Sequence, residues 1–172
     1  ATRGQVRVYG QKIIEATYGF NAGGFTENNE HVWDMEPRPW LRGKPDTFGA
    51  VPEAFRDGIS AAELDAFLAS DFPTHSRNAP VSSSKLYRWQ KTVNISKVHA
   101  WLKKNGRNIG RLKDVTIDKR GYSGRVVRLT LTGDRGKTIV ERELNARRLF
   151  GGLRSGLFTM KIHRDSKGYA TK

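Results

Sequence analysis

The sequence predicts an α+β fold, a mixed, largely antiparallel sheet with a few short helices, in one domain over residues 1–172. Three observations carry this. Strand-like and helix-like segments run in blocks rather than alternating one for one, which argues against a doubly wound sheet. Glycine turns separate neighbouring strand patterns at Gly10, Gly121 and Gly133-Asp134-Arg135-Gly136, as hairpins require. A chain of 172 residues with 37% hydrophobic content suits one core. No apolar run approaches the roughly 20 residues needed to cross a bilayer.

Each element has a local justification. In residues 5–16, Val6 and Val8 precede a turn at Gly10 and Gln11, and Ile13 and Ile14 follow it; this reads as a hairpin. A glycine-rich stretch, residues 19–26, comes next. Pro37, Pro39, Pro45 and Pro52 mark a long irregular connection. Ser60-Ala61-Ala62-Glu63 fits a capping box and opens a helix whose Leu64, Phe67 and Leu68 share one face. Residues 71–84 (DFPTHSRNAPVSSS) are rich in proline and serine and are expected to form a mobile loop.

Residues 86–95 hold Leu86, Trp89, Thr92, Val93 and Ile95 and read as a strand. Ser96 would cap a helix over residues 97–105 that buries Val98, Trp101 and Leu102 and stops at Gly106. Strands are expected over residues 112–119, 125–132 and 138–142. The middle one places Val127, Leu129 and Leu131 on one face and Val126, Arg128 and Thr130 on the other. A helix over residues 143–150 ends at Gly151-Gly152. A last strand is expected over residues 157–163.

Charge is uneven along the chain. The formal net charge is +14. Residues 1–80 hold 8 Lys and Arg against 11 Asp and Glu, net -3, while residues 81–172 hold 23 against 6, net +17. The second half therefore projects a positive field that favours an anionic polymer, with nucleic acid and an anionic cell wall both fitting. A well-solvated surface would look the same.

Several chemistries are excluded. Without cysteine there is no disulfide, thiolate metal site or cysteine nucleophile. No phosphate loop, dinucleotide fingerprint, Gly-x-Ser-x-Gly or His-Glu-x-x-His occurs. His31, His75, His99 and His163 are scattered, so no metal and no cofactor are expected. Glu15, Glu27, Glu30 and Asp34 are available as acids, but none stands in an apolar setting that would raise its pKa.

Three stretches could bind a ligand. Gly23 and Gly24 precede Thr26, Glu27, Asn28, Asn29, Glu30 and His31; this is a binding loop or a polar turn between strands. On a strand, Tyr87, Trp89 and Lys91 would share one face, where an aromatic pair beside a cation could stack on sugar rings or bases. A strand tryptophan in the core fits the same pattern. Arg147 and Arg148, at a helix C-terminus, could stabilise its dipole or hold an anion.

The ordered set of motifs resembles the stage II sporulation protein D / amidase-enhancer family. In that family a strand leads to a Gly-Gly-x-Thr loop ending at tryptophan, matched here by Gly10, Ile13 or Ile14, Ala16, Gly23, Gly24, Thr26, Glu27 and Trp33. Trp40-Leu41 stands at the family's aromatic-leucine pair, and YRWQKTVNIS resembles its Tyr-x-Trp strand leading into a helix. RRLFGGLRSGLFTMKI resembles its close, through Arg147 or Arg148, Gly151 or Gly152, Leu153 or Leu157, Ser155 and Phe158. Gly19 and Ala22 stand where family members often carry His and Ser.

The resemblance implies a peptidoglycan-acting cell-wall domain. It would bind glycan strands, with lytic-transglycosylase-type cleavage in the complete parent protein. The family's catalytic glutamate lies before the Gly-Gly-x-Thr loop, in a segment expected to precede this chain, so no catalytic residue is assigned here. The family's Gly-x-Gly-His-Gly-type ending is likewise expected beyond it. The resemblance also implies an extracytoplasmic location, at the wall or anchored to the membrane through a segment outside this chain. Substrate binding would fall to Gly23, Gly24, Thr26, Glu27, Tyr87, Trp89 and Lys91, and anion binding to Arg147 and Arg148. The implied partners are glycan strands, an anionic wall polymer and an amidase. A non-catalytic wall-binding or amidase-enhancing module is the first alternative. A basic nucleic-acid-binding domain, which lacks a recognisable motif, is the last.

Overall fold

A computed structural model describes residues 3–17, 19, 21–71, 73–79 and 87–172. In chain order the elements begin with a hairpin of β1 (Val8–Tyr9) and β2 (Lys12–Ile13) and the one-turn helix α1 (Asn29–Val32). A 3-10 turn (Glu53–Phe55), α2 (Leu64–Ala69) and the one-turn α3 (His75–Asn78) follow. The second half holds α4 (Ile95–Lys104), β3 (Leu112–Arg120), β4 (Val126–Gly133), β5 (Lys137–Glu141) and α5 (Glu143–Leu149). The fold is α+β, as the sequence predicts, and its two small sheets, β1-β2 and β3-β4-β5, are antiparallel throughout.

The main core lies between the three-stranded sheet and the helices α4 and α5. Leu129 and Leu131 of β4 are fully buried, with Val140 of β5 opposite Leu129. Ala146 and Leu149 of α5 and Val98 and Leu102 of α4 close the layer. Each helix has one buried stripe at helical spacing, which the hydrophobic effect drives onto the sheet. Val126 is buried too, although it should face away from Val127 and Leu129. The β3–β4 register shifts between Lys119 and Arg120, next to Val126, so simple alternation fails at that end.

A second cluster gathers Phe25, Phe55, Ile59, Leu64, Phe67 and Leu157. The Phe67 ring meets Phe25 and Phe55 edge-on, at centroid distances of 5.5 and 5.3 Å. Gly24 passes directly over that ring. Its φ is 111°, and a Cβ there would lie 2.8 Å from Phe67 Cζ. The cluster is thus the reason one glycine of the Gly23-Gly24 pair stands where it does.

Several local readings hold. The hairpin turns at Gly10, and Tyr9 packs its ring 5.2 Å from that of Trp40. Ser60 N donates to Glu63 Oε2 and Glu63 N to Ser60 Oγ, which completes the capping box ahead of α2. Others are corrected. Helix α4 starts at Ile95, because Asn94 rather than Ser96 supplies the cap, its side chain accepting from Ser96 N at 2.9 Å. Leu86 lies outside the described residues, and no strand forms over residues 87–94, so Tyr87, Trp89 and Lys91 do not share a strand face. Residues 157–163 form no strand either. They have strand-forming composition but no laddered neighbour. Of the expected mobile loop over residues 71–84, Phe72 and residues 80–84 lie outside the described residues. Within it α3 is a formed turn, capped by Thr74, whose side chain accepts from Arg77 N.

Candidate binding groove

The Gly23-Gly24 loop is pinned rather than open. Gly23 N donates to Asn21 Oδ1 at 2.8 Å, and Ala22 N to Ser76 Oγ at 2.8 Å. Two guanidinium groups hold its carbonyls. Arg125 donates to Ala22 O at 2.7 Å and Phe25 O at 2.8 Å, and Arg88 to Gly23 O at 3.2 Å. Burial lowers the pKa of both arginines, and the negative charges of Glu143 and Glu27 partly offset this for Arg125.

Thr26 and Glu27 are consumed internally. Thr26 Oγ1 donates to Lys44 O and accepts from Lys44 N. The Glu27 side chain is 3% exposed and accepts from the backbone N–H groups of Asn28, Tyr122 and Ser123, and from Ser123 Oγ. His31 Nδ1 lies 2.9 Å from it. Gly121 leaves room for this carboxylate, since a Cβ there would come within 2.4 Å of Glu27 Oε2. Glu27 is a clamp on the β3–β4 turn, with its acceptor capacity taken up.

Glu143, also buried, plays a similar part. It accepts from Gly156 N at 2.6 Å, and Arg125 and Arg147 approach it at 4.0 and 3.7 Å. A buried carboxylate among cations and N–H donors is what the cost of burying charge requires.

Tyr87 belongs to the interior. It is 7% exposed, its hydroxyl accepts from Thr74 Oγ1 at 3.2 Å, and the Arg88 guanidinium lies 4.1 Å from its ring centroid. Trp89 is half-buried and packs on the main core. Lys91 Nζ donates to Gly151 O and Gly152 O, just beyond the C-terminus of α5.

These residues border a groove of about 1170 Å³. Val98, Leu112, Phe150, Leu153 and Phe158 contribute an apolar floor. The described lining holds five Lys and Arg side chains, Arg88, Lys91, Arg154, Lys161 and Lys172, together with His163, and no Asp or Glu. Arg154 and Lys161 are exposed and have no ion-pair partner among the described residues. The groove brings together Gly23, Tyr87, Trp89 and Lys91 from the expected set and leaves out Gly24, Thr26 and Glu27. Arg147 and Arg148 also lie outside it. Arg147 Nε is committed to Leu153 O at 2.8 Å, and Arg148 is exposed. Sequence reasoning misses Arg154 and Lys161. Their only local signal is a basic residue at an exposed position beside an apolar neighbour, buried Leu153 for one and half-buried Ile162 for the other.

No helix among the described residues is long and apolar enough to cross a membrane. A family model described as a domain of unknown function, DUF8618, matches residues 27–172. No curated protein matches, and no solved structure does.

Proposed function

The chain belongs to the DUF8618 family, a domain of unknown function, and we propose that it is a peptidoglycan-acting, extracytoplasmic domain that holds wall polymer in its basic groove. The lining of that groove carries the reading: five Lys and Arg side chains, no Asp or Glu among the described residues, and a half-buried tryptophan over an apolar floor. Cell-wall polymer supplies what such a surface selects. Its peptides carry carboxylates, its teichoic chains carry phosphates, and its sugar rings present apolar faces to an indole. The sequence resemblance to the sporulation protein D family points the same way.

The groove's role is binding. The two buried carboxylates, Glu27 and Glu143, are both held by donors and cations within the fold, and no Asp or Glu is among the described groove residues. Glycan cleavage requires a carboxyl group as acid, a part that Glu27 and Glu143, held as they are, do not offer. An amidase-enhancing role uses the same binding surface.

Co-sedimentation with purified sacculi stripped of teichoic acid tests the reading. The protein should pellet with the sacculi at low salt and be released as salt screens its cations. Absence from the pellet at low salt would overturn it. The net +17 of residues 81–172 also supports a nucleic-acid reading. Tight duplex binding with a steep salt slope, in place of wall binding, would favour that one.

A further inference from the structure

Two segments flank the groove with unpaired backbones. Phe158, Met160 and Ile162 pack on the main core while Thr159 and Lys161 are exposed, which is the alternation of a strand. Yet among the described residues no backbone hydrogen bond reaches the N–H or C=O of residues 158–162. Trp89 and Val93 pack on the same core, and residues 89–93 likewise make no backbone hydrogen bond. Both segments are anchored just outside these stretches. Val126 N donates to Gly156 O at 2.9 Å, His163 N to Lys172 O at 3.0 Å, and Ile95 N to Thr171 O at 3.3 Å.

Backbone groups that lie over apolar surface without partners are a template for an incoming strand. Adding an extended chain to such an edge satisfies them, and pockets alongside take alternate side chains. The charge of the groove selects the chain that enters. Arg154 and Lys161 line the groove as exposed cations, beside Lys91 whose Nζ is held by Gly151 O and Gly152 O, with no Asp or Glu in the described lining to oppose them.

We propose that the groove takes an extended, carboxylate-bearing peptide, added as a strand along residues 158–162. This rests on the wall reading and sharpens it: the wall component recognised is the peptide stem rather than the bare sugar chain. A bare glycan has no peptide chain to lay along the edge, whereas a stem offers both amides and carboxylates.

The test compares three ligands for the full chain: intact peptidoglycan, the same peptidoglycan stripped of its peptides, and soluble stem tetrapeptide as competitor. Intact polymer should bind about tenfold more tightly than stripped polymer, and the tetrapeptide should displace it. Thr159→Pro, which removes one N–H at an exposed position, should weaken binding with thermal unfolding unchanged. If that variant does not fold, Lys161→Glu carries the test through charge alone. Equal binding of stripped and intact polymer, or failure of the tetrapeptide to compete, overturns the stem proposal and leaves the wall reading standing. A folded Thr159→Pro that binds normally overturns the strand pairing. Binding to neither polymer overturns the wall reading itself.

Discussion

Ser123 Oγ donates to Glu27 Oε2 at 2.5 Å, a bond that joins the approach to α1 with the β3–β4 turn across 96 positions of sequence. Glu27→Ala should strip the N–H groups of Tyr122 and Ser123 of their acceptor and destabilise the fold by ~2–4 kcal/mol. Glu27→Gln should cost less, because one amide oxygen still accepts. Urea unfolding of the two variants beside wild type checks the order. A neutral Glu27→Ala would mean that the clamp contributes nothing.

Gly24→Ala should be as damaging by a different route. The residue holds φ 111°, and the added methyl would meet the Phe67 ring at 2.8 Å. Backbone strain and overpacking together should cost roughly 2–4 kcal/mol. Gly10→Ala, whose Cβ would meet nothing within 4 Å, isolates the φ contribution and should cost about 1 kcal/mol. Thermal midpoints of the pair measure the difference.

Trp89→Ala should lower wall affinity by about tenfold and Trp89→Phe by less, since a ring remains at the groove. Because Trp89 also packs on the main core, the comparison needs unfolding midpoints alongside binding curves. An alanine variant that loses stability but keeps full affinity would assign the indole to the core alone.

Acid should destabilise the protein only at low pH. The Arg42 hydrogen bond holds Glu30 below its ordinary value of 4.5, and Arg128 does the same for Glu141. Asp165 is lowered first by the backbone N–H of Tyr169, then by Lys167 N–H and Arg111. A carboxylate depressed in the folded state contributes stability above its unfolded pKa and loses it as pH falls through the folded one. Urea midpoints should therefore hold steady from about pH 7 to about 5 and fall below about 4. Glu30→Gln should make that fall shallower. A decline already complete by about pH 5 would contradict the assignment to these carboxylates.

What could be read in the sequence was what depends on neighbours in sequence. The turn at Gly10, the Ser60–Glu63 box and the β3–β4–β5 meander each carry their own signal, and each is present. Residues 87–94 and 157–163 have strand composition, but a strand also requires a partner at hydrogen-bonding distance, and composition does not state whether one exists. The site was legible in the same measure. Trp89 and Lys91 reach the groove, whereas Thr26 and Glu27 are drawn inward by Lys44 and by Tyr122 and Ser123. Arg154 and Lys161 become a pair of interest only when folding sets them on the groove that Lys91 also lines.

The claim that this lining selects an anionic wall polymer is tested most directly by charge reversal at Arg154 and Lys161, two of its exposed cations that have no ion-pair partner among the described residues. Sedimentation with sacculi freed of teichoic acid but retaining their peptides should be measured for wild type and for the double variant Arg154→Glu, Lys161→Glu, with unfolding midpoints matched. The predicted result is a loss of affinity of about tenfold or more at low salt, narrowing as salt rises. Equal affinity of the two proteins at every salt concentration would contradict it.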